Sequence, residues 1–387
     1  MNRLTTSWGA PELARFPEDP RDPLRAWDAA DEYLLRQLHG ADEAPPTDLS
    51  GTVAVVGDRW GALVTSLAAR TSGPVTQISD SFLGQQATRA NLARNDVDAG
   101  AVRLLTARQE PPERVDVLLV RVPKSLALLE DQLHRLAPAV HADTVVIGAG
   151  MVTEIHTSTL KLFERIIGPT RTSLAVKKAR LIFCTPDPAL PRTPSPWPRR
   201  YALPSDTGVL AGRTVTNHAG IFCAERLDIG TRFFLRHLPP SRGAERVVDL
   251  GCGNGVVGTA VALANPDAAV TFTDESFSAV ASAEATFADN VPSGTAEFLV
   301  GDGLSALPDA TVDLVLNNPP FHSHRATTDT AARRMFADAR RALSPGGELW
   351  VVGNRHLGYH VRLKRLFGNC EVVASDPKFV VLKAVRR

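Results

Sequence analysis

The chain of 387 residues carries only four cysteines, Cys184, Cys223, Cys252 and Cys370, set far apart. No two form a C-x-x-C pair and no histidine stands at metal spacing, which excludes a disulfide scaffold and a structural zinc; reduced thiols and no bound metal are expected. No apolar run approaches membrane length, and Met1 to Pro20 mix acids, bases and prolines without an apolar signal core. A cytoplasmic protein without membrane contact is therefore expected. Surplus charge is missing as well: 43 Lys and Arg against 42 Asp and Glu leave a formal net charge of +1. That balance excludes a strongly basic nucleic-acid carpet, so affinity for a polyanion must come from local patches. What is there is an ordinary globular composition, 44% hydrophobic and 22% charged, long enough for two domains with full cores.

The most informative segment is Asn318-Pro319-Pro320-Phe321, directly after the apolar run Val312 to Leu316. An exocyclic amine on a nucleobase shares its lone pair with the ring and is a poor nucleophile. The Asn318 side-chain carbonyl and the Pro319 backbone carbonyl are two acceptors for its hydrogens, which favours a pyramidal nitrogen aimed at a methyl donor. The prolines stiffen this hook, and Phe321 is placed to stack on the ring. Alone, Asn-Pro also reads as a turn at a strand end.

A second segment, Val247 to Gly255, is an apolar strand running into the loop Asp249-Leu250-Gly251-Cys252-Gly253-Asn254-Gly255. A loop with so little side chain lets backbone approach a ligand at a helix N-terminus. Gly253, Gly255 and Gly258 also satisfy G-x-G-x-x-G, so a nicotinamide dinucleotide is the competing ligand. Asp249 ahead of the glycines suits the cationic amino group of S-adenosylmethionine (AdoMet) better than a pyrophosphate, which it would repel. Asp274 ends the next strand where ribose hydroxyls need an acceptor, and Asp302 closes the third, within reach of an adenine amine. Each acid alone also reads as a solvated strand end or a cap. Cys252 reads as a small side chain facing the interior rather than a catalytic thiol.

The chain repeats itself. Val53 to Thr65 aligns with Val247 to Thr259, and the following strands end at Asp80 and Asp274 with the same spacing. Val115 to Leu119 parallels Val312 to Leu316, and Lys178 falls opposite Lys378. Strands alternating with amphipathic stretches imply parallel sheets covered on both faces, and Cys370 to Ala374 with Phe379 to Val385 reads as a closing antiparallel hairpin. The fold expected is α/β, two tandem Rossmann-like methyltransferase domains from a duplication, the N-terminal one degenerate. The boundaries expected are residues 1–183 for the degenerate domain, 184–215 for a Pro-rich basic linker and 216–387 for the catalytic domain.

The copies differ where chemistry is expected. Val55 stands in place of Asp249, Arg59 and Trp60 fill the glycine loop, and Arg121-Val122-Pro123-Lys124 replaces the Asn-Pro-Pro-Phe hook. Cofactor binding is not expected there; Arg121 and Lys124 read either as phosphate contacts or as solvated strand-end residues. Between the copies, Pro186 to Pro204 holds seven prolines with Arg192, Arg199, Arg200, Trp197 and Tyr201. It reads first as a semi-rigid connector and second as an RNA contact. The arginines 333, 334, 340 and 341 read as a solvated helix face before a phosphate contact.

Taken together these segments resemble bacterial ribosomal RNA guanine-N2 methyltransferases with duplicated Rossmann-like domains. Further shared-looking stretches are Asn217 to Phe222, Leu227 to Phe234 and Gly353 to Leu357. In the first half Ala30 to Leu35, Val122 to Glu130 and His156 to Leu160 resemble the large-subunit branch, which makes 23S rRNA the expected partner. The resemblance implies that Asn318 and Pro319 hold the guanine amine, that Pro320 and Phe321 complete the catalytic tetrapeptide, and that AdoMet is the cofactor. It implies further that Asp249, Gly251, Gly253, Gly255, Asp274 and Asp302 hold AdoMet, that Asp228 and Thr231 border its methionine end, and that the first domain recognises RNA. Base extrusion and in-line attack on the sulfonium methyl then need no strong general base, and His322 reads as a pocket wall. Open beside this stand the same chemistry on a 16S guanine, a protein glutamine or a DNA adenine, and a non-catalytic RNA-binding or assembly factor. A monomer is the working expectation.

Overall fold

A computed structural model of the chain describes residues 2–19, 22–40, 45–320 and 325–387. It divides into two compact units, Met1–Pro196 and Trp197–Arg387. The first runs α1 (Ala29–Leu38), β1 (Val53–Val56), α2 (Ala62–Leu67), β2 (Val75–Ser79), α3 (Phe82–Arg94), β3 (Val102–Thr106), β4 (Val115–Arg121), α4 (Leu126–Leu136), β5 (Val140–Met151), α5 (Thr157–Ile166), β6 (Thr170–Thr172) and β7 (Ala179–Cys184). The second runs β8 (Arg199–Ala202), β9 (Thr214–Asn217), α6 (Ile229–Leu235), β10 (Arg246–Leu250), α7 (Val256–Ala264), β11 (Ala269–Asp274), α8 (Phe277–Asn290), β12 (Ala296–Val300), β13 (Val312–Asn317), α9 (Arg325–Ala342), β14 (Leu343–Asn354), α10 (Tyr359–Phe367), β15 (Glu371–Ser375) and β16 (Phe379–Val385).

Among the described residues each unit holds one seven-stranded sheet, β3-β2-β1-β4-β5-β7-β6 and β12-β11-β10-β13-β14-β16-β15, identical in order position for position. Five strands of each are parallel; β7 and β16 insert antiparallel before the last strand. This is the duplicated α/β architecture the alternating pattern implied, with the closing hairpin seated as β15 and β16. All four β1 residues are buried, and so are four of the five β10 residues. Helices cover both faces, so a central strand has no polar side and reads as an unbroken apolar run. Alternate residues feed opposite cores: Val247, Leu314 and Leu316 pack with Val256 and Phe287, while Val248, Leu250 and Val315 pack with Phe336 and Leu363.

The boundary between units falls inside the proline-rich stretch, but that stretch is more than a connector. β8 pairs antiparallel with β9, from Arg199 opposite Asn217 to Ala202 opposite Thr214, in a two-stranded ladder outside the main sheet. Prolines flank β8 without entering it, so no ladder bond is lost. Trp197 is buried beneath the Arg199 guanidinium, 4.5 Å from its ring centre. Arg200 pairs with Asp289, Arg192 donates to the Ile166 carbonyl, and Tyr201 packs on the second unit's core. The aromatic and basic side chains read as a second-choice RNA contact are thus engaged within their own units. No helix among the described residues is long and apolar enough to cross a membrane.

Candidate active site

Because β12, β11, β10 and β13 are parallel neighbours, their carboxyl ends share one edge of the second sheet. The loop after β10, Asp274 at the end of β11, Asp302 beyond β12 and Asn318 beyond β13 therefore meet there, at the edge where ligands enter doubly wound sheets. Gly251, Gly253 and Gly255 all take left-handed backbone, and Gly255 caps α7. At Gly255, with φ +76°, an added Cβ would lie 2.7 Å from the Ala283 Cα, so glycine is required twice over. At Gly253 a Cβ would instead meet open space, which leaves a backbone-lined cradle beside the helix N-terminus.

The three acids differ in surroundings. Asp249 is buried, accepts the Gly258 N–H at 2.8 Å, and is pushed up to about 7 by burial, with the Asp274 charge adding to it. Asp274 accepts from the Gly253 N–H at 3.1 Å and the Ser276 N–H at 3.0 Å, so it shapes the cradle while burial raises its carboxyl. Asp302 pairs with Arg334 on α9. Arg341, from the same arginine-rich face, pairs with Asp309 at 2.6 Å. Cys252 is buried and its thiol is held well above the ordinary range, which is the chemistry of a packed side chain.

At the hook, Asn318 donates Nδ2–H to the Thr231 Oγ1 at 2.9 Å, and its Oδ1 is buried without a hydrogen-bond partner among the described residues. Pro319 is buried and Pro320 exposed. Phe321 and His322 lie outside the described residues. Asp228 caps α6, accepting the Thr231 N–H at 2.9 Å and the Thr231 hydroxyl at 3.3 Å. Thr231, expected with Asp228 at the methionine end of a cofactor, thus touches the hook itself, while Asp228 is linked to it through Thr231.

Sequence reasoning missed several supports. Asn317 is fully buried and donates to the Leu250 carbonyl at 2.7 Å, joining β13 to β10. Asn254 donates to Asn217 at 3.0 Å, tying the loop to β9. An Asn-Asn dipeptide at a strand end was the available signal for the first; nothing local marked the second.

The first unit closes its own equivalent of the cradle. Gly61 occupies the Gly255 position with φ +79°, but the buried Asp58 carboxylate accepts from the N–H groups of Gly61, Ala62, Leu63 and Val64. The donors that a ligand would use are filled from within. Arg121 holds the Asn318 register position and is 1% exposed, paired with Asp31 at 2.7 Å and Asp28 at 2.9 Å. That corrects both of its readings: Arg121 is neither a phosphate contact nor a solvated residue, because two carboxylates from α1 and its cap already neutralise it. Lys124 is exposed.

Residues 1–188 match the family described as RLMG N-terminal domain, and residues 212–383 match that described as methyltransferase small domain. A protein of Streptomyces griseus named ribosomal RNA large subunit methyltransferase G is 73% identical, with all of both chains covered. Its namesake in Stutzerimonas stutzeri is 48% identical, again over the whole of both. Among solved structures, a T. Thermophilus 16S rRNA N2 methyltransferase in complex with AdoMet and guanosine superposes with a TM-score of 0.75 at 20% identity, covering 100% of this chain and 97% of that one. That likeness extends the duplicated fold across the whole chain.

Proposed function

The chain belongs to the ribosomal RNA large subunit methyltransferase G family, and from that premise we propose that it transfers a methyl group from AdoMet to the exocyclic N2 amine of a specific guanine in 23S rRNA. The observation that carries this reading is the buried, unpartnered Asn318 Oδ1 at the sheet edge that also holds the glycine cradle. A buried acceptor without a donor is costly, and a substrate amine supplies the missing hydrogen.

The residues fit AdoMet. Gly253 leaves room for backbone contact with its amino-acid end, Gly251 and Gly255 hold the left-handed turns that shape the loop, and Asp249 is the carboxylate for its ammonium. Asp274 is the acceptor for the ribose, and Asp302, whose Oδ1 is held by Arg334, receives the adenine amine. Asp228 and Thr231 border the methionine end. When bound, AdoMet supplies an electrophilic methyl on a sulfonium sulfur. Asn318 Oδ1 and the Pro319 carbonyl accept the two hydrogens of the guanine amine, localise its lone pair and aim it at that carbon. With that methyl held at the cradle, the amine nitrogen aimed by Asn318 and Pro319 would be the nucleophile, and its surplus proton would be free to leave to solvent. The rigid Pro319-Pro320 backbone keeps the acceptors from turning away, and Phe321 stacks on the base.

For the first unit the reading is RNA recognition without cofactor, supported by the Asp58-filled loop. The domain limits 1–183, 184–215 and 216–387 stand as proposals beside the compact-unit boundary at Pro196, as do a cytoplasmic location and a monomer. Two experiments test the reading. Mapping N2-methylguanine in rRNA from cells with and without the gene should show one site lost from 23S; loss from 16S, or from no rRNA, overturns the assignment. Asn318→Ala should abolish transfer while AdoMet still binds in calorimetry; normal turnover would remove the hook from the mechanism.

A further inference from the structure

The family resemblance places Thr231 beside the cofactor, yet its side-chain hydrogen bonds tie Asp228 to the acceptor hook. The hydroxyl of a threonine has one proton to give and two lone pairs to offer. Thr231 Oγ1 lies 3.3 Å from the Asp228 carboxylate, which can only accept, so the proton points there. The same carboxylate oxygen takes the Thr231 N–H at 2.9 Å, because Asp228 is the N-cap of α6 and Thr231 its third residue. With its proton committed, Oγ1 can only accept from its next neighbour.

That neighbour is the Asn318 amide, 2.9 Å away. An asparagine amide has a donor end and an acceptor end of nearly equal shape, so packing alone does not choose between them. The Thr231 lone pair does. It attracts the NH2 end and would repel the carbonyl end, and Oδ1 is left buried and unpartnered on the other side. Thr231 is 7% exposed, so water does not compete for its lone pair, and its branched Cβ restricts the rotamer.

Building on the reading of Asn318 as the acceptor for the substrate amine, we propose that Thr231 is a positioning residue for methyl transfer. The chain Asp228 carboxylate, Thr231 hydroxyl, Asn318 amide fixes which end of the amide faces the target. Asp228 orients Thr231, Thr231 orients Asn318, and only Asn318 touches the reacting amine. A guanine N2 edge offers that site a donor and a carbonyl edge at the same place offers none, so the relay also discriminates an amine edge from a carbonyl edge.

The test is a kinetic series on the full-length enzyme with 23S rRNA and AdoMet. Thr231→Val keeps the shape and removes the hydroxyl; kcat should fall about tenfold to a hundredfold, with KM for AdoMet and RNA within about threefold of the parent. Thr231→Ser should restore most of the loss. Should Thr231→Val fail to fold, Asp228→Gly, a tolerated cap, frees the hydroxyl proton to turn toward Asn318 and should lower kcat in the same way. An unchanged kcat overturns the proposal. So does a raised KM for AdoMet with kcat intact, which would return Thr231 to the cofactor. If Asn318→Ala is inactive while Thr231→Val is normal, the relay fails and the hook stands; if Asn318→Ala turns over normally, the hook itself fails.

Discussion

Asn317 Nδ2 donates to the Leu250 carbonyl oxygen across 2.7 Å, so the side chain just before the hook clamps the end of β13 to the end of β10. The two strands already pair there, with Leu250 opposite Asn317. The extra bond is made by a fully buried side chain where the ladder stops and the glycine loop begins. It sets the separation of hook and cradle.

Asn317→Ala should therefore remove the donor to the Leu250 carbonyl and cost roughly 1–3 kcal/mol. Denaturant unfolding should show the loss in the second unit and leave the first unit's transition unchanged. Asn317→Asp should be worse than Ala, since it sets a carboxylate against a carbonyl oxygen. Equal stability of parent and Ala variant would mean the clamp carries no load.

Gly258→Ala tests how α7 is seated. Alanine is the better helix former by about 0.5–1 kcal/mol, so on propensity alone the change should stabilise. An added Cβ would lie 2.4 Å from the Phe272 Cε1, inside a stack of Phe272 on Phe298 with Phe287 at its edge. Overpacking of this kind costs about 1–3 kcal/mol and should outweigh propensity. A net loss of stability in thermal unfolding is expected, and a gain would contradict it.

The sheets and their duplication were legible because a strand covered on both faces is apolar along its length; Val53 to Val56 announces that directly, and Val247, Val248 and Leu250 repeat it around the single acid Asp249. The site's edge was legible too, since acids and glycines at strand ends lie beside one another whenever the strands are parallel. Long-range pairing was not legible. Arg121 looked free because its partners, Asp28 and Asp31, are 93 and 90 positions earlier in a helix that local pattern does not connect to β4. Arg334 reads as solvated from sequence because its partner Asp302 is 32 positions earlier, just beyond β12. Thr231 was assigned by resemblance to the cofactor, and only three-dimensional contact brought it to Asn318.

The turn between β6 and β7 stores strain that can be relieved. Val176 and Ala179 exchange both backbone hydrogen bonds, so Lys177 and Lys178 form a two-residue hairpin turn, with φ +48° and +64°. Such a turn prefers Asn-Gly. Lys177→Asn with Lys178→Gly should raise first-unit stability by about 1 kcal/mol, allowing for the left-handed cost of lysine and for loss of the exposed Lys177–Glu32 pair, worth at most about 1 kcal/mol. Differential scanning calorimetry reads the shift; a lowered midpoint would show that the lysines hold the turn by other contacts.

Asp249 couples stability and cofactor binding to pH in opposite directions. Burial holds its folded carboxyl at about 7 against an ordinary 3.8. A raised acid favours the folded state while it is protonated there, so its contribution is present below about pH 4 and is lost as pH rises toward 7. The loss is on the order of 4 kcal/mol across that window. Asp249→Asn stays neutral and should flatten that part of the slope in denaturant titrations at pH 5 and pH 8; an unchanged slope would mean Asp249 is already ionised at pH 5. AdoMet, being cationic at its ammonium, should select the ionised form. Its affinity should therefore climb with pH up to about 7 and level off above, with close to one proton released per cofactor at pH 6. Calorimetry in two buffers of different ionisation enthalpy measures that proton directly. The site thus costs stability at neutral pH to keep one buried charge ready for a cation, and a binding isotherm without proton release at pH 6 would take Asp249 out of the cofactor's reach.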